Sequence, residues 1–386
     1  MTELALLRVV AQRLAGPRPA SPADAVAHLS ALQGQDLAGA VRSVALRVAA
    51  PADPPTPGLH TPEVLESLAS GAVVRSWPMR GTLHLVAARD LAWMLSLTRH
   101  RMEAHSARRR EQLGLDDAAV ARARDLAEAA LADRRTLARA ELLAVWAEAG
   151  LLPTPGRAYH LIALLAIREV LIQGPPHPTR PSEQLFAAFG DWIPNPHRLD
   201  PDEALATWVA DYFRGHGPAT VQDFARWTGL PIREARRGLG AALAERRPGH
   251  GELARVVVDD TEYWLDAATP DLLATHRRDA EAMRLLPGFD ELLLGYADRT
   301  ATLPARWAEA VVPGKNGMFL PTVLHRGVVI GTWARHPRAV LATPFTRFTR
   351  EQVAALARLG ADVGDAALRP GGAAPPRRTP PATPRR

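Results

Sequence analysis

The sequence predicts an α+β chain, mostly helical, in which a unit of several helices followed by two short strands recurs. Three observations carry this. Apolar residues at helical spacing alternate with brief β-branched runs such as Val73-Val74 and Val256-Val257-Val258. Capping residues open the helical stretches, as in Ser21-Pro-Ala-Asp24. Past Arg284 the pattern turns β-like, which predicts a β-rich C-terminal part.

Taken in order, Ser21 reads as an N-cap, Pro22 as the first helical position and Asp24 as a first-turn acid; Ala25, Leu29 and Leu32 then fall at helical spacing. Gly34 interrupts, and a second amphipathic stretch runs from Leu37 to Val48. After a Pro-rich loop (Pro51–Pro57), a helix is expected near Pro62–Ser70, then strands at Val73–Trp77 and Gly81–Val86. Three helices and a two-strand wing is the order of a winged helix. The order returns from Thr136, through a helix ending at Gly150 and a longer one opened by Thr154-Pro155, to a strand at Val170–Gln173. A third copy has helices at Asp202–Arg214, Thr220–Thr228 and Pro231–Arg246, and a hairpin of Arg255–Val258 and Glu262–Leu265 about Asp259-Asp260. Met318–Leu324 and Val328–Trp333 form a later strand pair joined through His325-Arg326-Gly327. These units divide the chain at 1–110, 111–198, 199–270 and 271–368, with a Pro/Arg-rich tail at 369–386 of disordered composition.

Composition excludes several chemistries. With no cysteine among 386 residues, thiolate zinc sites, iron–sulfur clusters, disulfides and cysteine nucleophiles are ruled out. The thirteen histidines show no ligand spacing, so neither a metal nor a cofactor is expected. No P-loop, His-Glu-x-x-His or Gly-x-Ser-x-Gly occurs, and Gly238-Leu-Gly240 lacks the third glycine of a dinucleotide fingerprint. Apolar runs stay well short of the ~20 residues that span a bilayer, and the N-terminus lacks a signal-peptide layout, so a cytoplasmic, nucleoid-associated protein with no membrane partner is expected. The net charge of +6 is carried almost wholly by arginine, Lys315 being the only lysine. Arginine binds phosphate oxygens bidentately, which weakly favours a nucleic-acid partner.

Several residues are candidates for that work. Arg233, Arg236 and Arg237 lie opposite the apolar stripe of their helix, and read equally as a groove-facing surface or a solvated arginine face. Arg99 and Arg101 head a basic cluster open to the same two readings, as do Arg80, Thr82 and His84, which share one side of an extended strand. In Leu32-Gln33-Gly34-Gln35-Asp36 the two amides would diverge in a continuous helix, but a break at Gly34 lets both face one space. Helix-end polarity is the blander reading of that pair.

Four ordered blocks resemble one family: Leu-Gln-x-Gln at 32–35, Arg-Ser-Trp-Pro-Met-Arg-Gly-Thr-Leu-His at 75–84, Leu-Leu-Pro-Gly-Phe-Asp-Glu-Leu-Leu-Leu-Gly-Tyr at 285–296, and Gly-Thr-Trp at 331–333. Together they resemble the AlkZ-like winged-helix DNA glycosylases over about residues 5–345. The resemblance implies three tandem winged helices around a concave, positively charged DNA channel. It also implies excision of N-alkylated purines and unhooking of interstrand crosslinks, on double-stranded DNA, by a monomer. The family's Gln-aliphatic-Gln catalytic motif maps onto Gln33 and Gln35; Gly34 departs from the aliphatic middle residue and is expected to loosen the backbone. A DNA-contacting hairpin maps either to His325-Arg326 or to Asp259-Asp260. Asp36 is expected to be occupied as an N-cap. A cationic alkylpurine already leaves well, so a water held by an amide carbonyl suffices without a tuned acid. Because strand nicking needs an amine and Lys315 is remote in sequence, base removal without lyase activity is expected. The rival reading is a non-catalytic winged-helix DNA-binding protein, a transcription regulator or a lesion binder.

Overall fold

A computed structural model describes residues 2–49, 61–244, 252–336, 339–361 and 365–368. The Pro51–Pro57 loop and the 369–386 tail lie outside these, as does the end of the helix expected to reach Arg246. The architecture is α+β with predominantly antiparallel sheets.

The chain opens with α1 (Thr2–Ala11), to which the sequence reading assigned no element. Ser21 caps α2 (Pro22–His28) as expected, its hydroxyl accepting the Asp24 N–H. The helix stops earlier than its spacing suggested. Ser30 adopts a left-handed backbone with φ 60°, and Leu32 belongs to the short strand β1 (Leu32–Gln33) instead. Then come α3 (Leu37–Ala45), α4 (Thr61–Ala69), β2 (Val73–Met79) and β3 (Thr82–Ala87). Next follow α5 (Leu91–Gln112), α6 (Asp117–Arg134), β4 (Thr136–Leu137), α7 (Arg139–Glu148), α8 (Arg157–Ile167), β5 (Leu171–His177), β6 (Arg180–Ala188) and α9 (Phe189–Trp192). The strand β6 has no counterpart in the sequence reading. The third helical group is α10 (Pro201–His216), α11 (Val221–Thr228) and α12 (Ile232–Ala244), leading to β7 (Leu253–Val258) and β8 (Thr261–Asp266). A Thr220/Asp223 capping box fixes the start of α11. Gly238 lets α12 close on α10, because a Cβ there would sit 2.8 Å from both Leu205 and Val209.

The remainder is α13 (Thr269–Ala280), β9 (Arg284–Leu286), α14 (Glu291–Leu294), α15 (Ala308–Val311), β10 (Thr322–His325), β11 (Val328–His336), β12 (Ala339–Pro344), α16 (Arg350–Ala361) and β13 (Asp365–Leu368). The expected C-terminal strand pair is present, with β10 starting at Thr322 rather than Met318.

Sheet pairing ties distant segments together. The first two strand pairs join edge to edge as one six-stranded sheet, ordered β1-β3-β2-β5-β6-β4, while β7-β8 stands apart. The C-terminal sheet is ordered β13-β12-β11-β10-β9. One continuous core runs from Trp77 and Trp93 through Trp146 to Trp208 and Trp227. Trp93 of α5 meets Trp208 of α10 edge-on at 5.7 Å, so the first and third helical groups share a wall. A second core seats Leu6, Val9 and Val10 of α1 against Leu286, Leu324 and Val329.

The block at 285–296 is a buried polar hub. Arg47 binds both oxygens of Asp290 at 2.9 Å, and Ser43 donates to the same carboxylate at 2.6 Å. Burial alone would raise the Asp290 pKa, but the Arg47 charge and the hydrogen bonds of Arg47, Ser43 and the Leu292 N–H hold it below the ordinary value. Glu291 accepts from Trp227 at 2.5 Å and contacts His216 at 3.3 Å. This hub therefore locks α3, α11 and the C-terminal part together.

Candidate active site

Gln33 ends the short edge strand β1, and the regular backbone stops at Gly34, with Gln35 in a bend before α3. Leu32 pairs with Leu85 and Gln33 with His84. Gly34 then donates to the Leu83 carbonyl at 2.7 Å. The strand ends at Gln33, and Gly34 and the bend at Gln35 lead from it into α3, so strand alternation fixes the side of Gln33 but not that of Gln35. Gln33 is half-buried and Gln35 exposed. Neither side-chain amide makes a hydrogen bond among the described residues, so both are available to a substrate or water.

At Gly34, where loosening was expected, the backbone carbonyls are tied by side-chain hydrogen bonds. Arg75 reaches across β3 from β2; its Nε donates to the Gly34 carbonyl at 2.6 Å and its second amino group to the Gln35 carbonyl at 3.1 Å. The other side of the guanidinium meets the Gln173 amide oxygen at 3.2 Å and that of Gln184 at 3.4 Å. Burial pulls the Arg75 pKa down to about 10, a nearby Asp36 opposing it, so the group stays charged at neutral pH. Gly34 also has a steric reason to be glycine, since a Cβ there would lie 3.2–3.3 Å from the His84 and Leu85 backbone.

Asp36 occupies the N-cap position of α3, but its side chain makes no capping bond and is exposed. The expected occupation of this carboxylate is therefore not what the geometry has.

The four sequence blocks meet here. β1 pairs with the 82–87 strand, the 75–84 block supplies Arg75, α14 packs against β1, and Trp333 of the last block donates to the Leu286 carbonyl at 2.7 Å. Residues 26–366 match the AlkZ-like DNA glycosylase family. The chain belongs to that family. It is similar to the interstrand DNA cross-link repair glycosylase of Streptomyces sahachiroi, 29% identical over 370 residues that cover 90% of this chain and 91% of the relative. Its fold is similar to that of the solved Streptomyces sahachiroi DNA glycosylase AlkZ, with a TM-score of 0.74 at 25% identity, over 95% of this chain and 99% of the other.

As a member of the AlkZ-like family, the chain has a surface that can be sorted by what faces outward. Arg80 sits in the left-handed turn with Gly81, not within a strand, and its side chain packs over Gly229 at the end of α11. Arg80 is exposed; burial of its stem and repulsion from Arg226 lower its pKa, Glu291 opposing. Thr82 is half-buried. His84 is only 1% exposed and cannot line a groove, because its side of the sheet is covered by the helical core.

Beside Arg80 lies a cleft of about 580 Å³ to which all three helical groups contribute, lined by Trp77, Arg80, Met102, Tyr159 and Thr228 among others. Tyr159 meets Trp77 edge-on at 6.4 Å and remains 44% exposed. Sequence reading missed both this ring and Arg75. Only the arginine had a signal there, its place in the 75–84 block.

The outlying basic residues divide. Arg101 is tied to Glu234 of α12 at 2.7 Å, whereas Arg99 is exposed. Arg233, Arg236 and Arg237 all face solvent, with Arg237 reaching Asp202 at 3.2 Å. The His325-Arg326 turn packs on α1, where a Cβ on Gly327 would touch Ala5 at 3.0 Å, and the Arg326 N–H donates to Glu281. The Asp259-Asp260 turn is exposed but acidic. A hairpin not weighed from sequence, β11–β12, carries exposed Arg335 and His336.

Proposed function

We propose that this chain is a monofunctional DNA glycosylase that releases N-alkylated purines and unhooks interstrand crosslinks from duplex DNA. The observation that carries the reading is a pair of unengaged amides, Gln33 at the end of the edge strand β1 and Gln35 just past it, in a segment whose backbone Arg75 clamps. A purine alkylated at N7 or N3 bears a positive charge. Cleavage of its C1′–N bond returns the electron pair to the base and leaves an oxocarbenium-like sugar. Water held by an amide carbonyl adds to C1′ and loses its proton to solvent. No strong acid is required, and a rigid clamp on the strand supplies the positioning.

The three helical groups act as tandem winged helices, units 1–110, 111–198 and 199–270, with 271–368 as a supporting β-rich unit. Arg80, Thr82 and Arg99 face the duplex at the centre, and Arg233, Arg236 and Arg237 grip backbone phosphates. The cleft over Tyr159 gives a bulky adduct room without full insertion into a closed pocket. The protein acts as a monomer in the bacterial cytoplasm.

The test is base release from a duplex carrying one 7-methylguanine and from a nitrogen-mustard crosslink, with alkali to reveal abasic sites, for wild type, Gln35→Ala and Lys315→Ala. Alkali-dependent cleavage lost in Gln35→Ala and kept in Lys315→Ala is expected. No release from either substrate with binding intact would make it a lesion binder, and alkali-independent nicking lost in Lys315→Ala would overturn the monofunctional reading.

A further inference from the structure

The face of the sheet that carries Gln33 holds a buried polar row the mechanism above does not use. Gln33 pairs with His84, and His84 pairs on its other side with Ser76. Directly paired residues project to the same face with Cβ atoms about 5 Å apart, so the three side chains stand side by side across adjacent strands. His84 and Ser76 are fully enclosed, at 1% and 0% exposure. The His84 Nδ1 lies 2.7 Å from the Thr82 carbonyl, an oxygen that only accepts, so Nδ1 carries the proton and Nε2 is a bare acceptor. That Nε2 has no partner, nor does the Ser76 hydroxyl. A buried acceptor without a donor is a group awaiting one.

We propose that His84 is a positioning residue, whose Nε2 accepts a hydrogen bond from the Gln33 side-chain N–H and thereby turns the Gln33 amide oxygen outward toward the reacting sugar. This rests on Gln33 being a water-positioning amide. An isolated glutamine amide presents its oxygen or its nitrogen with nearly equal ease, and only the oxygen can accept from the water that attacks. A fixed acceptor behind the amide decides the orientation. Burial, and then the Arg80 charge, pull the His84 pKa down to about 3, which keeps the ring neutral and Nε2 unprotonated at working pH.

Single-turnover excision of 7-methylguanine is measured for Gln33→Ala, His84→Leu, His84→Gln and the Gln33→Ala/His84→Leu double variant, beside lesion-DNA affinity. The expected result is that His84→Leu slows excision about tenfold to a hundredfold with little change in affinity, that His84→Gln restores part of the rate, and that the double variant is no slower than Gln33→Ala. If Gln33→Ala excises normally, the catalytic reading of Gln33 fails on its own. If Gln33→Ala is slow while His84→Leu is not, or if the two losses multiply, the positioning role is overturned. Should His84→Leu not fold, the ¹⁵N shift of His84 Nε2 in the intact protein decides. It moves in Gln33→Ala and stays put in Ser76→Ala if the inference is right; the reverse would assign the bond to Ser76.

Discussion

Arg75 Nε donates to the carbonyl of Gly34 at 2.6 Å, binding the middle of the glutamine motif to a residue forty-one positions later. Its guanidinium serves four oxygens from two strand pairs. Lysine has no planar fork and cannot reproduce this. Arg75→Lys is expected to lower single-turnover excision about tenfold to a hundredfold, as two charge-assisted bonds to the motif are lost, with lesion binding changed less than threefold. Equal loss of rate and affinity would mean Arg75 acts in DNA docking instead.

Asp36 sits one residue past Gln35 with an uncapped, exposed carboxylate. If the amides position water, Asp36→Asn leaves excision within about threefold of wild type while Gln35→Ala falls at least tenfold. Single-turnover rates of the two variants on the same 7-methylguanine duplex distinguish the readings, because a carboxylate base would make Asp36→Asn the slow one.

The buried Arg47–Asp290 pair has both partners at 1% exposure. Removing one charge strands the other in the core, so Asp290→Ala is expected to cost about 3–5 kcal/mol in urea unfolding. A cost below ~1 kcal/mol would mean the hub relaxes around the lost carboxylate.

With its pKa lowered from 6.5 to about 3, His84 stays neutral in the folded chain while the unfolded chain takes up a proton through that window. The contribution is fully present above pH ~6.5 and is lost as pH falls toward ~3, amounting to about 2 kcal/mol between pH 7 and pH 5. An NMR titration should show a His84 ring that does not titrate between about pH 8 and pH 4. A midpoint near the ordinary histidine value would contradict its burial.

Arg233→Ala and Arg236→Ala should each weaken binding to any duplex by a similar factor and reduce the slope of log affinity against log salt by about 1. A loss confined to one sequence would instead mean base readout.

Much of this protein was legible in its sequence. Ser21 capping α2, the helices α11 and α12, the β10–β11 pair and the family membership follow from local signals, because caps, apolar period and motif order act within a few residues of themselves. What tertiary structure decided lies where distant segments meet. Gln33 stands beside His84 because β1 pairs with β3, and pairing depends on a partner about fifty residues away. Gly34 is clamped because Arg75 arrives from β2, and His84 is buried because its strand turns that face to the helical core. The turn at His325-Arg326, a candidate DNA-contacting hairpin in sequence, lies against α1 through Gly327 while Arg326 stays exposed, and that packing comes from the far end of the chain. Alternation along a strand tells which residues go together, but only the packed fold decides which side faces solvent.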